Sequence, residues 1–177
     1  MGNQMTGANV RGYLQLIDRF TPGRKYDVTP LFRDFEAFSA LLDDLLELCR
    51  DIEHDTVVAI DALGFILGAG IAVRSEKRLV PIRKGGKLPV KVQEAKFVDY
   101  TDEEKSLEIR LDALDSSNRV LVVDEWVETA AQVKAAINLI EKQGAEVVGV
   151  LAINIDDSKA VRELRESYPL RSAAEGL

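Results

Sequence analysis

A chain of 177 residues, 46% hydrophobic and 30% charged, is long enough for one globular domain with a sizeable core and a small appendage. Its net charge of -7 and isoelectric point near 4.9 argue against general affinity for nucleic acid or anionic membranes. An anionic ligand would therefore have to be met by a local basic patch. No apolar run is long enough to span a bilayer, and residues 1–10 lack a basic region leading into an apolar stretch, so no signal peptide is expected. The single cysteine, Cys49, precludes an internal disulfide, and the expected compartment is the cytoplasm. The single histidine, His54, lies among charged residues and reads as a solvated loop side chain, not a nucleophile's base.

Val10, Tyr13, Leu14 and Ile17 share one face of a predicted helix over 10–17, and a turn-rich stretch follows through Pro22 and Gly23. Asp34 is placed to N-cap a second helix carrying Phe38, Leu41, Leu42, Leu45 and Leu48, whose apolar face Cys49 continues. The β-branched run 56–60 predicts a buried strand. A helix should begin near Gly64, with Gly68, Ala69 and Gly70 permitting close packing on a sheet. Residues 79–82 read as a strand with Pro81 near an end or edge. Residues 83–106 combine Arg83, Lys84, Gly85, Gly86, Lys87 and Pro89 with the polar Asp102, Glu103 and Glu104, and read as a mobile excursion from the core.

The second half is plainer. Residues 120–123 form a buried strand ending on Asp124 and Glu125. A helix follows with Val133, Ala136, Ile137 and Ile140 inward and Gly144 as its stop, then a strand over 146–153. Strands alternating with helices predict an α/β fold: a doubly wound, mainly parallel sheet flanked by helices. Ligands in such sheets sit beyond the carboxyl ends of the strands. Asp61, the Arg83-Lys84 pair and the Asp124-Glu125 pair each follow a strand, which makes those ends the candidate site.

Adjacent carboxylates at a strand end suit vicinal sugar hydroxyls or help hold a divalent cation, and the helix N-terminus that residues 127–132 lead into suits a phosphate. The same carboxylates would serve equally well as helix caps or solvent-facing charges. Arg83, Lys84 and Lys87 beside two glycines suit a pyrophosphate clamp, or simply a solvated loop. Asp61, Ala62, Leu63 and Gly64 precede a helix and offer backbone amides to an anion, or pack it against a strand. Trp126 reads mainly as a packing residue, Asn154 and Asp156 follow the last strand and could line a pocket, and residues 167–177 carry no readable role.

Five segments occur in the order found in one family: Asp27-Val28-Thr29-Pro30-Leu31, the run from Ala59 through Asp61 and Gly64 to Gly68, Arg83-Lys84-Gly85-Gly86-Lys87-Leu88-Pro89, Leu107-Glu108-Ile109, and Val120 through Asp124-Glu125. Over residues 20–153 the chain resembles the adenine phosphoribosyltransferases, a branch of the type I phosphoribosyltransferases. The Arg-Lys-x-Gly-Lys-Leu-Pro segment is specific to that branch.

The resemblance implies a single domain over 1–177 with a small hood from residues 10–34, a mobile loop over 83–108, and a homodimer. It implies transfer of ribose 5-phosphate from phosphoribosyl pyrophosphate to a purine, adenine foremost, with Mg2+ carried mainly by the substrate. Asp124 and Glu125 would contact the ribose, and Glu128, Thr129, Ala130, Ala131 and Gln132 would hold the 5-phosphate. Asp61, Ala62, Leu63, Gly64 and Lys87 would contact pyrophosphate, and Tyr26 and Val28 would line the base pocket. Glu108, on the mobile loop, would be catalytic together with Lys87 and Arg83.

The sequence departs from the family's pattern. A phosphate loop that usually reads Ala-Thr-Gly-Gly-Thr is here Glu128-Thr129-Ala130-Ala131-Gln132, so both glycines are lost. Its amides could still serve a phosphate if the loop is right-handed. Leu63 stands where arginine is common, Lys25-Tyr26-Asp27 where Phe-Arg-Asp is common, and the stretch from Tyr100 to Glu108 is slightly long. These departures leave open a non-catalytic nucleotide-binding or phosphoribosyl pyrophosphate-binding regulator of the same fold, or an enzyme with another acceptor base.

Overall fold

A computed structural model describes residues 12–22, 26–98 and 103–175. Val10, Lys25, Tyr100 and Asp102, which carry expectations above, lie outside the described residues. The chain divides into two compact units, 1–44 and 45–177.

In the first unit the predicted opening helix is instead a short 3₁₀ turn, Gly12–Leu16. Tyr13 is buried, and its hydroxyl donates to Asp44 at 2.6 Å. Asp18 and Asp27 exchange backbone hydrogen bonds of 2.9 Å each. The Asp27 carboxylate then accepts the amide and hydroxyl of Thr29, at 2.9 and 2.6 Å, opening a helix absent from the sequence reading, α1 (Thr29–Arg33), with Pro30 in its first turn. Asp34 caps α2 (Phe35–Leu48) as predicted, accepting the Ala37 amide at 3.0 Å. Leu41, Leu45 and Cys49 are buried along its predicted face.

The second unit holds β1 (Thr56–Ile60), α3 (Gly64–Ser75), β2 (Arg78–Lys84), β3 (Val92–Val98), β4 (Glu104–Arg110), β5 (Arg119–Val123), β6 (Trp126–Val127), α4 (Ala131–Lys142), β7 (Glu146–Ile155), α5 (Lys159–Ser167) and β8 (Leu170–Glu175). Its eight-stranded sheet runs β3-β4-β2-β1-β5-β7. Both β5 and β6 lie on one edge of β7, and β8 takes the other. All pairings among β1, β2, β5, β6, β7 and β8 are parallel, and β3 and β4 join antiparallel. The doubly wound, mainly parallel sheet read from the alternation is therefore the fold.

Every residue of β1 is buried, which explains its unbroken apolar run. Gly68 alone of the three small α3 residues makes the expected close approach: a Cβ there would lie 2.6 Å from that of Ala59, whereas Ala69 and Gly70 are half-buried. Pro81 sits in mid-strand, but β4 joins β2 only at Arg83 and Lys84. The Ile82 carbonyl bonds toward β1, so the missing donor of Pro81 faces the open edge.

The expected excursion from the core over 83–106 is instead part of the sheet. β2 runs on through Lys84, and β3 and β4 extend the sheet with Ala95, Leu107, Glu108 and Ile109 buried. One face of this hairpin is solvated, so Glu94 and Lys96 made a half-buried alternation look like a polar loop. The tail also has a role: Ser158 accepts the Val161 amide at 3.2 Å to start α5, which leads into β8. His54 is half-buried, with Nδ1 2.8 Å from the Ile52 carbonyl, and is not a solvated side chain.

Candidate active site

Strand register assembles the site. Ile60 pairs with Ile82 and Ala59 with Val123, so Asp61 comes level with Arg83 in β2, and Asp124 follows β5 one residue short of that level. Two clusters result.

The first lies beyond β1 and β2. Asp61 is mostly buried, and the Arg83 Nε lies 3.7 Å from its Oδ2, an ion-pair distance too long for a hydrogen bond. That Nε is buried with no hydrogen-bond partner, while Arg83 Nη1 donates to the Lys87 carbonyl at 3.2 Å. The tight turn after β2 includes Gly86, left-handed at φ 77°. The Glu108 carboxylate accepts the Gly86 amide at 2.9 Å, the Lys87 amide at 2.6 Å and the Leu88 amide. Burial pushes that carboxyl up, but the three amides, helped by Arg83, outweigh it and hold it below the usual glutamate range. Glu108 thus lies at a buried position of β4, paired into the sheet; no feature of Leu107-Glu108-Ile109 alone distinguishes a clamp from a loop residue.

The second cluster lies beyond β5. Asp124 is 6% exposed. Its Oδ1 accepts the Glu125 amide at 2.8 Å and its Oδ2 accepts Gln132 Nε2 at 3.1 Å. Burial pushes its carboxyl up to about 7, and the neighbouring Glu125 charge adds to this, while its hydrogen bonds and Lys84 act the other way. Gly64 begins α3 directly against it: a Cβ there would lie 2.9 Å from the Val123 carbonyl oxygen and 3.2 Å from Asp124 Cα. Asp61 and Ala62 are joined by a cis peptide bond, and Leu63 leads into α3.

The altered loop completes this cluster. Ala130 caps α4 at φ 61° and ψ -1°, left-handed, so the right-handed loop that two alanines favour is not formed. Ala131 donates to the Thr129 hydroxyl at 3.5 Å, and Glu128 is half-buried. The Gln132–Asp124 contact escaped the sequence reading; its only signal was glutamine where the family has threonine.

Trp126 is half-buried, and its indole N–H donates to Asp156 Oδ1 at 3.1 Å. Asn154, fully buried and inside β7, not beyond it, donates to the same oxygen at 2.6 Å. Tyr26 and Val28 belong to the first unit, where Arg19 lies 5.9 Å from the Tyr26 ring centroid and the Val28 side chain is buried.

Residues 35–172 match the phosphoribosyl transferase domain family. An adenine phosphoribosyltransferase of Thermotoga petrophila is 45% identical over 147 residues, 82% of this chain and 85% of that one. Another, from Kosmotoga olearia, is 35% identical over 167 residues, 93% and 97% of the two chains. The crystal structure of the adenine phosphoribosyltransferase from Thermoanaerobacter pseudethanolicus superposes with a TM-score of 0.86 at 26% identity, covering 94% of this chain and 99% of its own.

Proposed function

Because the chain belongs to the phosphoribosyltransferase family, in its adenine phosphoribosyltransferase-like branch, we propose that its two clusters take the two ends of phosphoribosyl pyrophosphate. The reaction is transfer of ribose 5-phosphate to adenine with release of pyrophosphate. The register that sets Asp61 beside Arg83 and Asp124 one residue short of them carries this reading.

Asp124 and Glu125 bind the ribose hydroxyls. Sugar hydroxyls donating to Asp124 favour its ionised form, so binding draws the carboxyl down from about 7 and releases a proton at neutral pH. Residues 128–132 and the first amides of α4, which have no partners within the helix, receive the 5-phosphate. At the other end, Lys87, Arg83 and residues 61–64 receive pyrophosphate. The unpartnered Arg83 Nε supports that assignment, since a leaving phosphate oxygen would satisfy it. Tyr26 and Val28 are the proposed base contacts; with its side chain buried, Val28 would act through its backbone. The transition state has oxocarbenium character, and closure over it excludes water.

Mg2+ is proposed to arrive with the substrate. Asp124 and Glu125 are the carboxylates suited to hold a substrate-borne ion. When bound, the ion neutralises charge on the leaving pyrophosphate. A homodimer is proposed on the face of α3 where Ile66 and Val73, 41% and 79% exposed, stand two turns apart. No helix among the described residues is long and apolar enough to cross a membrane, and the buried, unpaired Cys49 suits the cytoplasm.

The test is titration with phosphoribosyl pyrophosphate and Mg2+, followed by a pyrophosphate-release assay with adenine, guanine and hypoxanthine supplied separately. Release with adenine alone is expected. Release with another base reassigns the acceptor, and no binding at millimolar ligand sinks the reading of the site.

A further inference from the structure

The turn after β2 is held in a way that divides labour at the pyrophosphate end. The consecutive amides of Gly86, Lys87 and Leu88 all point at Glu108. Converging amides form a concave nest of the kind that binds phosphate. Here the chain's own carboxylate, only 3% exposed, fills it. While Glu108 is seated, those amides are closed to substrate, and a phosphate must be met by side chains. The same carboxylate fixes the Lys87 backbone, whose carbonyl accepts Arg83 Nη1 at 3.2 Å, and Arg83 in turn lies 3.7 Å from Asp61. One residue of β4 therefore orders two cations contributed by β2 and its turn.

We propose that Glu108 is a positioning residue for pyrophosphate: it does not touch substrate, and it acts by holding residues 85–88 so that Lys87 and Arg83 meet the leaving group. This rests on reading that end of the site as the pyrophosphate end. The turn is built for the clamp. Gly86 takes φ 77°, and a Cβ on Gly85 would run into the Ser106 hydroxyl. Because the amides favour the ionised carboxylate, the clamp stays charged at neutral pH.

Glu108→Gln keeps the shape but turns one acceptor into a donor facing amide N–H groups. The KM for phosphoribosyl pyrophosphate and the inhibition constant of pyrophosphate should rise by about tenfold, while kcat at saturating substrate and the KM for adenine change by less than about threefold. The pH profile should keep its shape, hydrogen exchange at Gly86, Lys87 and Leu88 should quicken, and Glu108→Asp should recover part of the loss. A kcat loss of about a thousandfold with pyrophosphate affinity intact would make Glu108 catalytic and overturn the proposal. A fall in Tm with unchanged constants would make it purely structural and overturn it equally.

If Glu108→Gln does not fold, Glu108→Asp on a background carrying both Lys87→Ala and Arg83→Ala decides. Action through these two cations predicts less than about a twofold further effect, and full additivity overturns it. A wild-type chain that neither binds nor releases pyrophosphate sinks the reading of the site and this proposal together. Normal wild-type turnover beside an indifferent Glu108→Gln sinks this proposal alone.

Discussion

The two ends of the site share a plan and differ in how fully it is satisfied. Each has a buried carboxylate, a tight turn with one left-handed residue, and a nearby cation. At the pyrophosphate end Glu108 accepts three amides and is held ionised, and the left-handed residue is glycine. At the ribose end Asp124 accepts one amide and one side chain, its carboxyl is pushed up to about 7, and the left-handed residue is alanine. The Glu108 carboxylate is satisfied without ligand, whereas Asp124 gains further partners when substrate binds. Unfavourable local structure therefore gathers where ligand binding can relieve it.

Asp124→Asn gives the largest expected effect, because it removes the less satisfied carboxylate. Losing a charge-assisted contact to ribose hydroxyls should cost about a hundredfold or more in kcat/KM. Stability should move the opposite way. Raising the Asp124 carboxyl from 3.8 to about 7 costs the fold on the order of 2–4 kcal/mol above neutral pH. Asp124→Asn should therefore raise Tm at alkaline pH by about 5 °C or more. Lost activity with a lowered Tm would instead make Asp124 a structural cap, and the contrast between the two ends would collapse.

The pH dependence of stability sharpens the contrast, since the two carboxylates are shifted in opposite directions. Glu108 has a depressed folded pKa, so its contribution is present above the ordinary value of 4.5 and is lost as pH falls through the folded value. Asp124 has a raised folded pKa, so its penalty is absent below 3.8, grows as pH rises, and is complete above about 7. Between acid and neutral pH, Tm relative to wild type should climb for Asp124→Asn and fall for Glu108→Gln. Parallel curves would show that the two environments do not differ.

The architecture was legible because buried parallel strands are written as β-branched runs and helices as apolar periodicity, and both Asp34 and Gly144 mark their helix ends as expected. Strand ends gave the candidate site for the same reason, since register follows from the runs. What escaped was whatever depended on partners distant in sequence. Glu108 meets residues about twenty positions away, and its β4 neighbours look like an exposed charged loop until Leu107 and Ile109 are seen buried. Loss of the phosphate-loop glycines was visible, but not that Ala130 would take a left-handed conformation between β6 and α4.

The smallest effects come from exchanging the two left-handed residues. Gly86→Ala places a Cβ in open space but at φ 77°, a strain of about 1–2 kcal/mol, partly offset by a stiffer unfolded chain. A net destabilisation of up to about 1 kcal/mol should follow, with a weaker hold on pyrophosphate as the Glu108 clamp loosens. Ala130→Gly relieves the same strain at φ 61°, but it gives up a buried methyl worth about 0.8 kcal/mol and adds backbone freedom to the unfolded chain. Those terms nearly cancel, so Tm should stay within about 2 °C of wild type. Affinity for phosphoribosyl pyrophosphate should nevertheless rise, because glycine lets the loop backbone adjust to the 5-phosphate without strain. Titration of both variants decides the matter: tighter binding by Ala130→Gly locates the unrelieved strain at the ribose end, and unchanged binding means that the alanine already leaves the phosphate its room.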